Sequence, residues 1–231
     1  SPGFIDIKTP PTYAASEIYS ADSVLIGRFY KENRTPVKYE EVNPAFWNAL
    51  ISTEDERFYS HHGIDFMGSG GAIKDAGTGS GGRGASTITQ QLAKNMFRVR
   101  TQYSSGLLGH VPGLRMLIMK SKEWIIAIKL ELIYSKKEIL TMYANTVDSG
   151  NNSFGVKTAA KTYFNTSPSK LSIDQAATLV GMLKATTYYN PILHPKNSIR
   201  RRNTVLYNMV THNVLPRSEY AVCSKLPMKL D

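Results

Sequence analysis

Four residues near the start of the chain, Trp47, Leu50, Glu54 and Phe58, recur at spacings of three and four, which places them on one face of a helix. Glu54 thus stands in an apolar stripe. A carboxylate there loses hydration and is suited to take or give a proton near neutral pH. The alternative is structural: Glu54 turned aside to pair with Arg57, three residues on. Asp55 projects from a neighbouring face, and His61 and His62 close the segment, where histidines serve more often as cap or surface residues than as ligands.

A second group begins at Ser86. The helix predicted from there has an apolar face, Ile88, Leu92 and Met96, and a polar one, Gln91, Lys94, Asn95 and Arg98. Amides and cations on one side suit a sugar or a phosphate, although a solvated face has the same composition. Further on, Lys120 and Glu123 stand three apart, with Arg115 more than a turn before them. Taken alone, that spacing describes a surface ion pair.

The elements that must position these side chains are mostly helices. Asn43-Pro44 supplies an N-cap and a proline at the first helical position, and Gly63 closes the segment. Capping boxes at Thr87/Gln90, Ser135/Glu138 and Ser172/Gln175 each precede an apolar-periodic run, so everything after Asn43 reads as helical. Before it, β-branched and aromatic residues around Ile18-Tyr19 and over 24–30, separated by Ala21-Asp22-Ser23, read as a short hairpin. Two stretches break the helical pattern. Residues 67–84 are rich in glycine and serine and are expected to form a mobile loop. Residues 103–113 carry Gly106-Leu107-Leu108-Gly109 without polar spacing, which fits either a loop capping the core or a segment touching a membrane surface.

Composition limits the partners without choosing among them. At 231 residues and 42% hydrophobic content the chain can bury a substantial core, and its formal net charge of +10 favours an anionic partner, whether nucleic acid, phospholipid or a phosphorylated substrate. The single cysteine, Cys223, excludes an intrachain disulfide and reads as a small buried residue. The most apolar run, residues 124–133, is interrupted by Lys129 and Glu131, so no membrane span is expected. The opening Ser1-Pro2-Gly3 lacks the features of a signal peptide, and no zinc spacing, phosphate-binding loop or G-x-S-x-G element occurs.

The order of the pieces is more specific than any one of them. Glu54-Asp55-x-x-Phe58-x-x-His61-x-Gly63, Gly84-x-Ser86-Thr87-Ile88-Thr89-Gln90-Gln91-x-x-Lys94-Asn95, Lys120-x-x-Glu123, and Tyr134-Ser135-Lys136-x-Glu138-Ile139-Leu140-x-x-Tyr143-x-Asn145 follow one another. In that order they resemble the motifs of the peptidoglycan glycosyltransferase family (glycosyltransferase family 51), as found in class A penicillin-binding proteins. Gly155-x-x-x-Ala159-Ala160-x-x-Tyr163-Phe164 and the stretch from Asn190-Pro191 to Val205-Leu206 are similar to later blocks.

The resemblance implies a mainly α, lysozyme-like fold with a large lobe and a small membrane-associated jaw, beside the short N-terminal β-hairpin. It implies a β-containing flank over residues 1–42, the glycosyltransferase domain over 43–213, and a C-terminal flank over 214–231 leading toward a transpeptidase domain. The substrate it implies is lipid II, polymerised into β-1,4 glycan strands by inverting transfer with loss of undecaprenyl pyrophosphate. The place is the outer face of the bacterial cytoplasmic membrane, with the anchor outside this chain. Carried over residue by residue, Glu54 is the general base and Glu123 assists on the donor side. Lys94, Arg115 and Lys120 face the pyrophosphate, and Asp55, Phe58, Ser86, Gln90 and Gln91 complete the substrate-binding set. The resemblance fixes no cofactor and leaves open a divalent ion, Mg2+ or Mn2+, near Glu123. The implied partners are lipid II, the growing glycan, the bacterial membrane surface and moenomycin-type inhibitors, and no nucleic acid.

Three features depart from the family pattern. Met119 precedes Lys120 where arginine is usual, Ser149 occupies a commonly apolar or aromatic position, and residues 67–82 are poor in large apolar side chains. Two other functions compete. A muramidase would share the fold and the glutamate but has no use for a Lys94, Arg115, Lys120 cluster. A basic nucleic-acid-binding module is raised by Arg200-Arg201-Arg202, but aromatic residues are not interleaved with these cations.

Overall fold

The computed structural model describes residues 16–19, 25–29, 33–34, 36–66, 86–97, 112–151 and 153–231; for the strands before residue 35, for Phe97 and for 112–119 it is the backbone that is described. The glycine-rich stretch 67–84, the turn at 21–23 and most of 103–113 therefore lie outside the described residues. Strands β1 (Ser16–Tyr19) and β2 (Leu25–Phe29) pair antiparallel, with Ser16 opposite Phe29. The helices are α1 (Pro44–Glu54), α2 (Ile88–Phe97), α3 (Pro112–Ile133), α4 (Lys136–Thr146), α5 (Val156–Phe164), α6 (Ile173–Met182), α7 (Pro195–Thr211) and α8 (Arg217–Cys223). The mainly α expectation holds. Among the described residues no helix is long and apolar enough to cross a membrane.

One departure from the helical reading comes between α4 and α5. A two-residue strand β4 (Ser153–Phe154) pairs parallel with β3 (Asn33–Arg34). Gly150, Asn151 and Gly155 all take positive φ there, so the chain folds back on itself and cannot continue a helix.

Two compact units divide the chain, one made of Ser1–Pro10 with Leu50–Tyr143 and the other of Pro11–Ala49 with Ala144–Asp231. In the second unit, α6 packs along α7, burying Ala176, Leu179, Val180 and Met182 on one helix and Val205, Leu206 and Met209 on the other. Ser172 opens α6, its N–H donating to Gln175 Oε1 at 3.1 Å and its hydroxyl to Asp174 Oδ1 at 2.7 Å. The segment that leads into α1 is held by Asn145, whose amide accepts from the Val37 N–H at 2.7 Å and donates to the Val37 carbonyl at 2.9 Å, as a neighbouring strand would. Tyr39 stacks on Trp47 at 4.7 Å between ring centroids.

The arginine run at 200–202 is divided among different surroundings. Arg202 is buried and donates from Nη2 to the carbonyls of Ser224 and Leu226 at 3.2 and 2.8 Å, Arg201 lies over the Tyr189 ring, and Arg200 is exposed beside Asn197. A run that reads as one basic patch in sequence is thus spread around a helix. Cys223, expected to be buried, is only half-buried because α8 is short and lies at the surface; what burial it has pushes its thiol up.

In the first unit α2 packs on α3, with Ile88, Leu92, Ala93 and Met96 buried on one and Ile126, Ala127 and Leu130 on the other. The turn that leaves α1 passes against α3 at Gly63. Its φ is +87°, and a Cβ there would sit 2.8 Å from the Ala127 carbonyl carbon and oxygen, so only glycine fits.

Candidate active site

The segment predicted as one helix closing at Gly63 ends at Glu54. Phe58 therefore does not share a helical face with Glu54; it lies in the following turn, fully buried. The cause is Asp55, whose carboxylate is drawn inward. It accepts the Ile88 N–H at 2.9 Å and contacts His61 Nε2 with both oxygens at 2.9 Å. The Gly63 N–H donates to His61 Nδ1 at 3.1 Å, so Nε2 is the N–H that donates a hydrogen bond to Asp55. His61 is thereby a buried structural residue, whereas His62 is exposed.

Stopping the helix here leaves Glu54 at its last turn, half-buried. Gln91 Nε2 donates to Glu54 Oε2 at 3.1 Å and reaches the Ser86 carbonyl at 3.4 Å. Gln91 Oε1 accepts from the Tyr143 hydroxyl at 2.9 Å. Burial, with the Glu54 charge adding to it, pushes the Tyr143 phenol well above its usual range, so the phenol stays protonated. Arg57, the alternative partner for Glu54, is held by Asp65 through two N–H donors.

Ser86 joins this group to a cation. Its hydroxyl accepts from the Lys120 ammonium at 2.6 Å, and the same ammonium is 3.2 Å from Glu123 Oε2. The expected surface ion pair is therefore one-sided: Glu123 is 5% exposed and Lys120 34%. Through Ser86, the Glu54 carboxylate and the Lys120 ammonium stand in one neighbourhood built from α1, α2 and α3. Thr87 starts α2 by accepting from the Gln90 N–H at 3.1 Å and donates its hydroxyl to the Gly63 carbonyl at 2.7 Å. The reciprocal half of that capping box does not form: Gln90 Oε1 is buried and has no hydrogen-bond partner among the described residues. Lys94 is half-buried in the last turn of α2, and Arg115 lies in the first turn of α3, its side chain outside the described residues.

Below this group sits a second polar cluster. Lys136 donates to the His61 carbonyl at 2.7 Å, pairs with Glu131 at 2.8 Å and lies 4.4 Å over the Phe58 ring. Glu131 also accepts from the Thr89 hydroxyl at 2.6 Å. These contacts tie the turn after Glu54 to α2, α3 and α4.

Among the described residues no three His, Cys, Asp or Glu side chains come together to hold a metal ion. Glu123 is matched by an ammonium rather than by further carboxylates, so the described residues around it do not form a cage for a divalent ion.

A sequence model of the transglycosylase family matches residues 22–210. The chain belongs to the transglycosylase family. Penicillin-binding protein 1A of Haemophilus influenzae is 37% identical over 213 residues, covering 92% of this chain and 23% of that protein. Penicillin-binding protein 1F of Bacillus subtilis is 38% identical over 203 residues, covering 87% and 27%. Penicillin-binding protein 1A of Escherichia coli is 36% identical over 205 residues, covering 88% and 23%. The chain thus spans about a quarter of the length of these relatives. The crystal structure of penicillin-binding protein 1A from Haemophilus influenzae superposes with a TM-score of 0.53 at 23% identity, over 96% of this chain and 22% of that one, a likeness of fold.

Family membership makes the chain a glycosyltransferase domain of the kind found in penicillin-binding proteins, and the site of this transglycosylase contains residues that sequence reasoning gave no role. Tyr143 is a motif residue to which its sequence position assigns no role, yet it is the buried donor to Gln91. Its helical spacing from Ile139 and Leu140 marks it as a core residue; its hydroxyl has no signal in sequence. Glu131 and Lys136 were likewise unassigned. A glutamate inside the apolar run 124–133 and a lysine five residues on, across a helix break, are the trace they leave.

Proposed function

We propose that this domain polymerises lipid II into β-1,4 glycan strands by inverting transfer, with release of undecaprenyl pyrophosphate, at the outer face of the bacterial cytoplasmic membrane. The domain spans 43–213, with 1–42 and 214–231 as its flanks, and has the lobe-and-jaw, lysozyme-like plan of its family. The observation that carries this reading is the pairing of a carboxylate, Glu54, and an ammonium, Lys120, about Ser86.

Attack by a sugar hydroxyl on an anomeric carbon develops positive character at the hydroxyl and negative charge on the leaving group. A base is needed at one end and cations at the other. Glu54 takes the proton from the acceptor's 4-hydroxyl. Lys120, with Lys94 and Arg115, receives the departing pyrophosphate, and Glu123 holds Lys120 in place. Gln90, Gln91, Ser86, Asp55 and Phe58 shape the site, the last two from beneath. Single displacement inverts the anomeric centre. Moenomycin-type phosphoglycolipids occupy the donor side, and the membrane surface delivers the lipid-linked substrate.

The test is polymerisation of labelled lipid II, with and without moenomycin, by the parent and by Glu54→Gln. The amide is nearly isosteric but cannot accept the proton, so turnover should fall by roughly a hundred- to ten-thousand-fold with the fold intact. Near-parental turnover in a folded Glu54→Gln protein removes Glu54 from the mechanism. Release of reducing sugar from finished peptidoglycan, without polymerisation, would make the domain a hydrolase instead.

A further inference from the structure

We infer that Tyr143 is a positioning residue for the reaction: acting through the Gln91 amide, its hydroxyl fixes the direction in which the Glu54 carboxylate faces the acceptor. The inference rests on the reading of Glu54 as general base.

Three hydrogen-bonding groups stand in series. The Tyr143 hydroxyl donates to Gln91 Oε1 at 2.9 Å, and Gln91 Nε2 donates to Glu54 Oε2 at 3.1 Å. Tyr143 is 1% exposed, so its hydroxyl has no bulk water to turn to. A side-chain amide can be turned over, exchanging its oxygen and nitrogen. In the reversed orientation Gln91 Oε1 would face the Glu54 carboxylate, acceptor against acceptor, a destabilising contact in a half-buried site. The phenol, kept protonated by its burial, removes the remaining freedom by supplying a donor where the amide oxygen must lie.

Glu54 is the last residue of α1 and is followed by a turn over residues 56–60. The Gln91 N–H engages its Oε2 and so orients the carboxylate. The second contact of Nε2, with the Ser86 carbonyl at 3.4 Å, keeps the amide registered to the serine that also binds Lys120. Tyr143 therefore touches neither substrate nor proton, and its effect on rate passes through Gln91.

Removing the hydroxyl in Tyr143→Phe should lower kcat for lipid II polymerisation by about ten- to a hundred-fold, the scale of a misaligned catalytic group, with KM within about threefold of the parent. Gln91→Leu should lower kcat at least as far. The decisive arm is the double variant: with Gln91 already replaced, Tyr143→Phe should lower kcat by less than about twofold more. Thermal melts of all four proteins show that each is folded at the assay temperature. Should Tyr143→Phe not be folded at the assay temperature, all four proteins are assayed below the melting temperature of that variant, with the same outcomes deciding.

Parental kcat in folded Tyr143→Phe, or independent losses that multiply in the double variant, also overturn the inference while leaving Glu54 as base. Parental turnover in Glu54→Gln overturns the underlying reading whatever Tyr143 does.

Discussion

Asp55 accepts the backbone N–H of Ile88 at 2.9 Å, so the residue that follows the proposed base also caps the helix that carries Gln91. The two residues are 33 positions apart in sequence. One carboxylate thereby fixes both sides of the Glu54–Gln91 hydrogen bond, and it does so from a buried position that also holds His61.

Replacing Asp55 should consequently disturb the fold and the site together. Asp55→Ala leaves the Ile88 N–H and the His61 Nε2–H without their acceptor and should destabilise the protein by at least about 2 kcal/mol. Asp55→Asn should recover only part, because an amide can satisfy one donor while presenting its own N–H groups to the other. Urea unfolding measures both. A midpoint unchanged in Asp55→Ala would mean that the capping contact contributes nothing.

Lys136 and Glu131 form a pair in which the glutamate side chain is 4% exposed. Lys136→Met leaves that carboxylate buried and unpaired, at an expected destabilisation of about 3 to 5 kcal/mol. Converting both, in Lys136→Met with Glu131→Leu, should restore part of the loss. A double variant no more stable than Lys136→Met alone contradicts the pairing as the origin of the effect.

Lys120 should influence rate more than affinity. Charge moves onto the leaving pyrophosphate in the transition state, so Lys120→Ala is expected to lower kcat by about a hundred-fold or more and to change KM by much less. Arginine at Met119 should raise turnover, since a planar fork adds a second way to hold phosphate oxygens. Steady-state kinetics with lipid II decide both, and a change confined to KM in Lys120→Ala would reassign the lysine to ground-state binding.

Alkaline pH should weaken the second unit through Tyr163. Its hydroxyl donates to the Ser149 carbonyl at 2.7 Å and accepts from Asn190, and burial pushes the phenol up from 10.0 to about 12. The native state therefore keeps a proton that the unfolded chain loses first. The stabilisation is complete below pH 10 and is lost as pH rises toward about 12. Melting temperature measured across that window should fall in the parent and fall less steeply in Tyr163→Phe. Parallel curves would place the alkaline sensitivity elsewhere.

Much of the framework was legible because it depends on local pattern. The capping pairs Ser135/Glu138 and Ser172/Gln175, the mainly helical body and the apolar face of α2 follow from residue spacing. The end of α1 did not. The stripe from Trp47 to Phe58 continues at helical spacing past the point where the helix stops, since what stops it is a pairing with Ile88 that local periodicity cannot register. The same holds for the site. Glu54 and Lys120 could be singled out by type and neighbours, whereas the Ser86 link and the Tyr143 contact join residues 34 and 52 positions apart. The three arginines at 200–202 are adjacent in sequence, yet the turn of α7 sends their side chains to different surroundings.

The way Arg202 grips the chain after α8 has a consequence for variation. Its guanidinium binds the carbonyl oxygens of Ser224 and Leu226, and the neighbouring Asn203 amide donates to the Ser224 carbonyl as well. Every residue type presents a carbonyl, so this fastening specifies the path of the segment and is indifferent to its side chains. Residues 224 and 226 should accept many substitutions that residue 202 will not, and a drifting sequence there would leave the segment bound along the same course.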